Sequence, residues 1–138
     1  MPRRDFFHDT VKHALSKEGW VITHDPYLLR FGGRKLYVDL GAERPIAAEK
    51  EGRKIAVEIK SFVGAAEITD LERALGQYLL YSFLLEREEA DRTLFLAVDA
   101  EAYASLFNEA DGRDLVTSRQ IRLIVFDPEQ EVILQWIQ

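Results

Sequence analysis

The sequence predicts a mixed α/β sandwich, a central sheet with a helix on each face, folded as a single domain. Three observations carry this expectation. Residues 5–18 and 67–88 repeat their apolar side chains at helical spacing. The run "TLFLAVD" at 93–99 is apolar almost throughout, as a strand covered on both faces is. Further strand-like runs lie between and after the helical segments, and helices flanking strands are the way such a sheet buries both faces.

Taken in order, "DFFHDTVKHALSKE" (5–18) places Phe7, Val11, Ala14, Leu15 and Glu18 on one helical side, and Gly19 is well placed to end the helix. "WVITHD" (20–25) has strand composition, Pro26 and "FGG" (31–33) mark a loop, and "KLYVDL" (35–40) is strand-like until "GAERP" breaks it. "IAAEK" (46–50), the turn "EGR" and "KIAVEIKSF" (54–62) read as a β-hairpin. A long helix follows over 67–88, with Leu71, Leu75, Tyr78, Ser82 and Leu85 recurring at three and four. Its start is expected at Thr69 or in the preceding "GAAE". After the strand 93–99 come a short helix near 100–108 and a polar loop at "EADGRD". Two strands, 121–127 and 131–137, are joined by a "PEQ" turn.

Composition narrows the function classes. The chain has 138 residues and 47% hydrophobic content, enough for one cored domain. There is no apolar run near 18 residues, and "MPRRDFFHDT" is not a secretory signal, so no membrane span is expected and a cytoplasmic location is. The absence of cysteine removes disulfides, thiolate chemistry and Cys-based zinc sites. A net charge of −6 argues against coating nucleic acid by bulk charge. It leaves room for a nuclease, whose carboxylates hold metal while a few local Lys and Arg meet phosphates; Arg3, Arg4, Arg30, Arg34 and Lys35 are such local cations.

The chemistry-bearing stretch is "KIAVEIKSF". Strand side chains alternate, so Ile55, Val57 and Ile59 face one way while Lys54, Ala56, Glu58 and Lys60 face the other. A carboxylate beside an ammonium is either an ordinary solvated pair or part of a site. Asp39, Glu43 and Glu49 lie upstream, and hairpin pairing brings Asp39 or Glu43 next to Glu58. Two facing carboxylates repel unless a cation lies between them. Mg²⁺ is the cation held by one or two carboxylates plus water and phosphate oxygens. On the following helix, Gln77 lies one turn before Tyr81.

An acid, then Glu-x-Lys on a hairpin, then a helix bearing "QYLLY" resembles the PD-(D/E)xK nuclease superfamily, whose fold is restriction-endonuclease-like; the glutamine resembles that of its Holliday-junction-resolvase-like branches. Over nearly the whole chain, "HDTVKHAL", "GWVITHDP", "YVDLGAE", "IAAEKEGRKIAVEIKSFVG", "ITDLERALGQYLLY" and "LIVFDPEQEVILQWI" resemble the XisH family, the fdxN element excision controlling factors of cyanobacteria. The nuclease resemblance implies that Asp39 and Glu58 ligate Mg²⁺ together with the Ile59 backbone carbonyl. Lys60 then positions or helps deprotonate the attacking water and stabilises charge on the phosphate. Gln77 orients water or phosphate, and an acid of the first helix, Asp9 or Glu18, assists. Val38, not proline, precedes Asp39, and the gap from Asp39 to Glu58 is long, so Glu43 competes for the first acidic position unless a bulge at "GAERP" restores Asp39. The XisH resemblance implies control of a site-specific recombinase that excises a DNA element, and a protein partner, XisI. Two functions follow from these resemblances: a control protein that retains Mg²⁺-dependent DNA cleavage, or a non-catalytic regulator acting through XisI or the recombinase.

Other features read more plainly. His8, His13 and His24 suit no zinc spacing and are expected in surface or capping roles. "FGGRK" lacks the rest of a P-loop and is expected to be a plain turn. Phe126 and Trp136 are expected in the core or at a partner surface. Ile133, Leu134, Trp136 and Ile137 on an edge strand point to a subunit interface, hence a homo-oligomer.

Overall fold

A six-stranded mixed sheet runs through the molecule with helices packed on both faces, as the sequence predicts. The computed structural model describes residues 5–45, 52–62 and 67–138. The sheet has the order β1-β4-β5-β6-β7-β8, formed by Val21–His24, Leu40–Arg44, Arg53–Ile59, Arg92–Asp99, Leu123–Asp127 and Val132–Ile137. β5, β6 and β7 are parallel; the remaining neighbours are antiparallel. The strands β2 (Tyr27–Phe31) and β3 (Arg34–Val38) form a separate antiparallel ribbon.

Helix α1 (His8–Lys17) covers one face, where Val11, Leu15 and Trp20 meet Ile55, Val57, Ile59 and Phe95. It ends in a Schellman arrangement: Trp20 N–H donates to the Leu15 carbonyl and Gly19 N–H to that of Ser16, with Gly19 at φ +88°. Glu18 falls just past the helix and accepts from Trp136 Nε1 at 3.0 Å. Helix α2 (Glu67–Glu88) covers the other face through Ala74, Tyr78, Tyr81, Leu84 and Leu85, packed with Ala56, Leu94, Leu96 and Val98. This accounts for the apolar run of β6, which is buried from Leu94 through Val98.

Several expectations need correction. The strand placed at 46–50 lies outside the described residues. The antiparallel neighbour of β5 is β4, so "GAER", expected to break a strand, forms one. Gly41 and Ala42 suit it because Tyr27 and His24 crowd the Gly41 Cα: a Cβ there would lie 2.9 Å from Tyr27 Cδ2. The loop expected around Pro26 contains β2. Part of the "EADGRD" loop belongs to α4 (Ala110–Ser118), and the segment before it passes through α3 (Ala100–Ala102) and a π-helical turn at Tyr103–Phe107. At Gly112 a Cβ would come within 2.1 Å of the Leu106 carbonyl oxygen, so this turn and α4 touch backbone to backbone. Edge strand β8 is where the sequence placed it. Its Trp136 packs against Trp20 and Phe95 at ring distances of 5.7 and 5.1 Å, while Leu134 remains exposed. Among the described residues no helix is long and apolar enough to cross a membrane.

Candidate functional site

The face of β5 that carries Glu58 is covered by α2, and this decides against an ordinary solvated pair. Residues 55–59 are all buried, and Glu58 is only 5% exposed. It lies at the carboxyl end of β5, beside the parallel strand β6, where ligands of parallel α/β sheets commonly bind.

The register Leu40↔Val57 sets Asp39, the residue between β3 and β4, across from Glu58. The two are clasped reciprocally. Ile59 N–H donates to Asp39 Oδ2 at 2.7 Å, and Asp39 N–H donates to Glu58 Oε1 at 3.3 Å. The long sequence gap is thus closed because β4, which begins directly after Asp39, runs back antiparallel along β5. Glu43 is ruled out of this cluster by the same register. It pairs with Lys54 at the opposite end of β5, 3.5 Å from Arg92.

Burial, then the adjacent Asp39 carboxylate, hold the Glu58 carboxyl well above its ordinary value of 4.5. Asp39 is raised from 3.8 by burial, against the lowering hydrogen bond from Ile59 N–H. The pair therefore retains a proton where solvated carboxyls have lost theirs. Tyr81 of α2 is pushed up to about 12 by burial and by these two carboxylates, so its phenol stays a donor.

These groups line a cavity of about 420 Å³ that also receives Lys60, Gln77, Lys35 and Tyr37. Lys60 follows the strand end, where its N–H donates to the Ala97 carbonyl at 3.0 Å. Gln77 and Tyr81, one turn apart, reach the cavity from α2 as the sequence spacing predicts. The Gln77 Oε1 atom is enclosed and, among the described residues, has no hydrogen-bond partner. An enclosed acceptor of this kind is costly unless a ligand or water meets it.

Of the acids near the N-terminus, neither Asp9, which is exposed on α1, nor Glu18, which accepts from Trp136, is among the described residues that line the cavity. Asp5 lines the cavity instead. Its Oδ2 accepts from Ser61 N–H at 2.9 Å and Ser61 Oγ at 3.0 Å, while Oδ1 accepts from Phe7 N–H at 2.9 Å. Asp5 opens the segment expected to be helical but lies ahead of α1, off the apolar repeat that marked that helix. His8 is buried rather than at the surface, with Nε2 2.7 Å from Asp25; its charge acts to lower Asp39. His13 and His24 are exposed.

Among the described residues no three His, Cys, Asp or Glu side chains converge on one point. Two carboxylates with a neighbouring carbonyl form an all-oxygen donor set, which fits a hard cation that keeps several waters, such as Mg²⁺, better than zinc.

The profile of the XisH family, described as XisH protein, matches residues 1–134. Two solved structures share the fold. The crystal structure of an XisH family protein from Nostoc punctiforme PCC 73102 is 41% identical with a TM-score of 0.87, covering 97% of this chain and 100% of that one. The crystal structure of an fdxN element excision controlling factor protein from Anabaena variabilis is 41% identical with a TM-score of 0.86, covering 98% and 100%. No curated protein matches. With the match running through both helical layers and every strand of the sheet to residue 134, this chain belongs to the XisH family.

Proposed function

We propose that the protein controls excision of a DNA element by a site-specific recombinase and does so as a Mg²⁺-dependent DNA phosphodiesterase of the PD-(D/E)xK type. The excision role is supported by the similar Anabaena variabilis protein, an fdxN element excision controlling factor. The cleavage role rests on one observation: two buried carboxyls, Asp39 and Glu58, clasped at the carboxyl end of a parallel strand with Lys60 beside them.

Asp39, Glu58 and the Ile59 carbonyl would hold the metal, which when bound supplies positive charge to the phosphate and acidifies water. The protein's own groups do the rest. Lys60 brings an amine to the cavity, where it offsets charge developing on a phosphate and holds the attacking water. The open Gln77 Oε1 accepts a hydrogen from that water and orients it. Tyr81 donates, since its phenol remains protonated. The low-dielectric walls strengthen each of these interactions.

The test is cleavage of duplex and branched DNA with Mg²⁺ or Mn²⁺ by wild type, Glu58→Ala and Lys60→Ala. Loss of at least 100-fold in both variants is expected. Activity unchanged in both sinks the assignment.

A second reading has its own support. The outward side of α2 carries Ile68, Leu79 and Phe83, exposed by 64%, 74% and 46%. Such a row suits a protein partner, and fits a non-catalytic regulator that binds XisI or the recombinase. Absence of a complex with XisI by size-exclusion chromatography counts against it.

A further inference from the structure

We infer that the β2–β3 ribbon is an arm that grips duplex DNA by its phosphates and leads the bound strand into the Asp39–Glu58 cavity. This rests on the phosphodiesterase reading above and names how its substrate is held.

The ribbon departs from the charge of the rest of the molecule. Residues 26–38 contain Arg30, Arg34 and Lys35 and no acidic residue, in a chain of net charge −6. Register places Arg30 directly opposite Lys35, and Arg34 opposite Phe31. Like charges facing each other across a strand pair oppose folding. Among the described residues Arg30, Arg34 and Lys35 make no ion pair, although the Glu88 carboxylate accepts from the Arg30 backbone N–H. All three are exposed, and Phe31 beside them is 45% exposed. Exposed cations without an ion-pair partner among the described residues are what a polyanionic backbone recognises.

The arm is rigidly rooted. Tyr27, Leu29 and Val38 are buried against α2 and the sheet. Tyr27 Oη donates to Glu89 at 2.6 Å, and Arg30 N–H donates to Glu88 at 3.3 Å. The tip is a two-residue loop, Gly32–Gly33, with Gly32 at φ +58°, the positive φ that such tight hairpin loops demand. The tip, exposed from Arg30 to Lys35, is therefore a narrow two-stranded ribbon, a shape the duplex major groove, about 12 Å wide, admits.

The arm also leads to the site. Lys35 and Tyr37 alternate onto the same ribbon face and line the cavity that holds Asp39, Glu58 and Lys60. At about 3.3 Å per residue, Lys35 lies roughly 13 Å along the chain from Asp39. A phosphate on Lys35 and one on Lys60 would thus bracket the carboxylate pair.

The experiment measures fluorescence anisotropy of a labelled duplex in EDTA, where nothing is cut, across a KCl series. Wild type is compared with Arg30→Gln/Arg34→Gln/Lys35→Gln and with Arg119→Gln. Three lost phosphate contacts should flatten the slope of log affinity against log salt by about 2.7, with affinity at low salt falling at least 10-fold. Arg119→Gln, at an exposed cation outside the ribbon and the cavity, should keep wild-type salt dependence. A triple variant that binds with wild-type affinity and slope, or a wild type that does not bind duplex at all, overturns the arm. Loss of binding in the triple variant together with no cleavage by wild type in Mg²⁺ upholds the arm and refutes the phosphodiesterase reading instead. The single variant Lys35→Glu, at an exposed position that folding tolerates, must also weaken binding; no change there equally overturns the arm.

Discussion

Replacing Glu58 with glutamine should stabilise the metal-free protein while removing its metal response. Glutamine keeps the shape of the side chain, retains an acceptor for Asp39 N–H and offers an amide donor to the Asp39 carboxylate, but it cannot ionise. The wild-type carboxyl is 5% exposed and titrates well above 4.5, chiefly through burial and then through Asp39. Because its folded-state value lies above the unfolded one, its contribution is intact below about pH 4.5 and is lost as pH rises through the folded value. The loss accrues at about 1.4 kcal/mol per pH unit within that window. Within that window the variant should therefore gain on wild type by about 1.4 kcal/mol for each pH unit, roughly 4–5 °C in Tm for a chain of this size. Urea and thermal melts in EDTA from pH 4.5 to 7 measure this. The wild-type curve should fall more steeply with pH than the variant's. Added Mg²⁺ should raise the Tm of wild type alone, since a ligand that binds only the folded state stabilises it by mass action. Parallel pH curves for the two proteins would refute the electrostatic reasoning.

Three further outcomes are expected. Arg92, with its side chain 2% exposed, donates to Glu89 at 2.6 Å and to the Ile55 carbonyl at 2.8 Å; Arg92→Met should cost about 3 kcal/mol in chemical denaturation, the low end for a broken buried pair because Glu89 can still reach water. The Arg92 hydrogen bond is also the main reason Glu89 titrates at about 2 rather than 4.5, so its stabilisation is full above pH 4.5 and lost as pH falls through about 2; acid titration of stability should show this loss in wild type and not in Arg92→Met. Finally, Gly76 is an exposed residue within α2 with open space where a Cβ would go, so Gly76→Ala should raise stability by up to about 1 kcal/mol, whereas Gly112→Ala should lower Tm because its Cβ meets the Leu106 carbonyl oxygen at 2.1 Å.

Much of the fold is legible in local pattern. Helical spacing placed α2 over 67–88, where the structure has it, because five buried side chains on one stripe leave little freedom in period or face. The unbroken apolar run of β6 announced a strand covered on both sides. Gln77, Tyr81, Glu58 and Lys60 were readable as neighbours because each pair lies on one element at its natural repeat.

What failed was whatever depends on contacts between distant segments. Strand β4 was hidden because Gly41 and Ala42 have low strand propensity, and it exists only because Tyr27, His24 and β5 close around it. Asp5 gave no signal because its role is to accept from Ser61, 56 residues away. The choice between Asp39 and Glu43 is one of register: a slip of four residues along β5 exchanges the site for the Arg92 cluster, and no local propensity distinguishes them. So the sequence by itself determined the element types, the layering and the presence of a carboxylate and an ammonium on one strand, since periodicity and composition are properties of short windows. Tertiary structure alone decided which acid faces Glu58 and that α2 seals that face of the strand. Burial, not sequence, separates an inert charged pair from carboxyls that hold their proton, because desolvation is set by what packs above them.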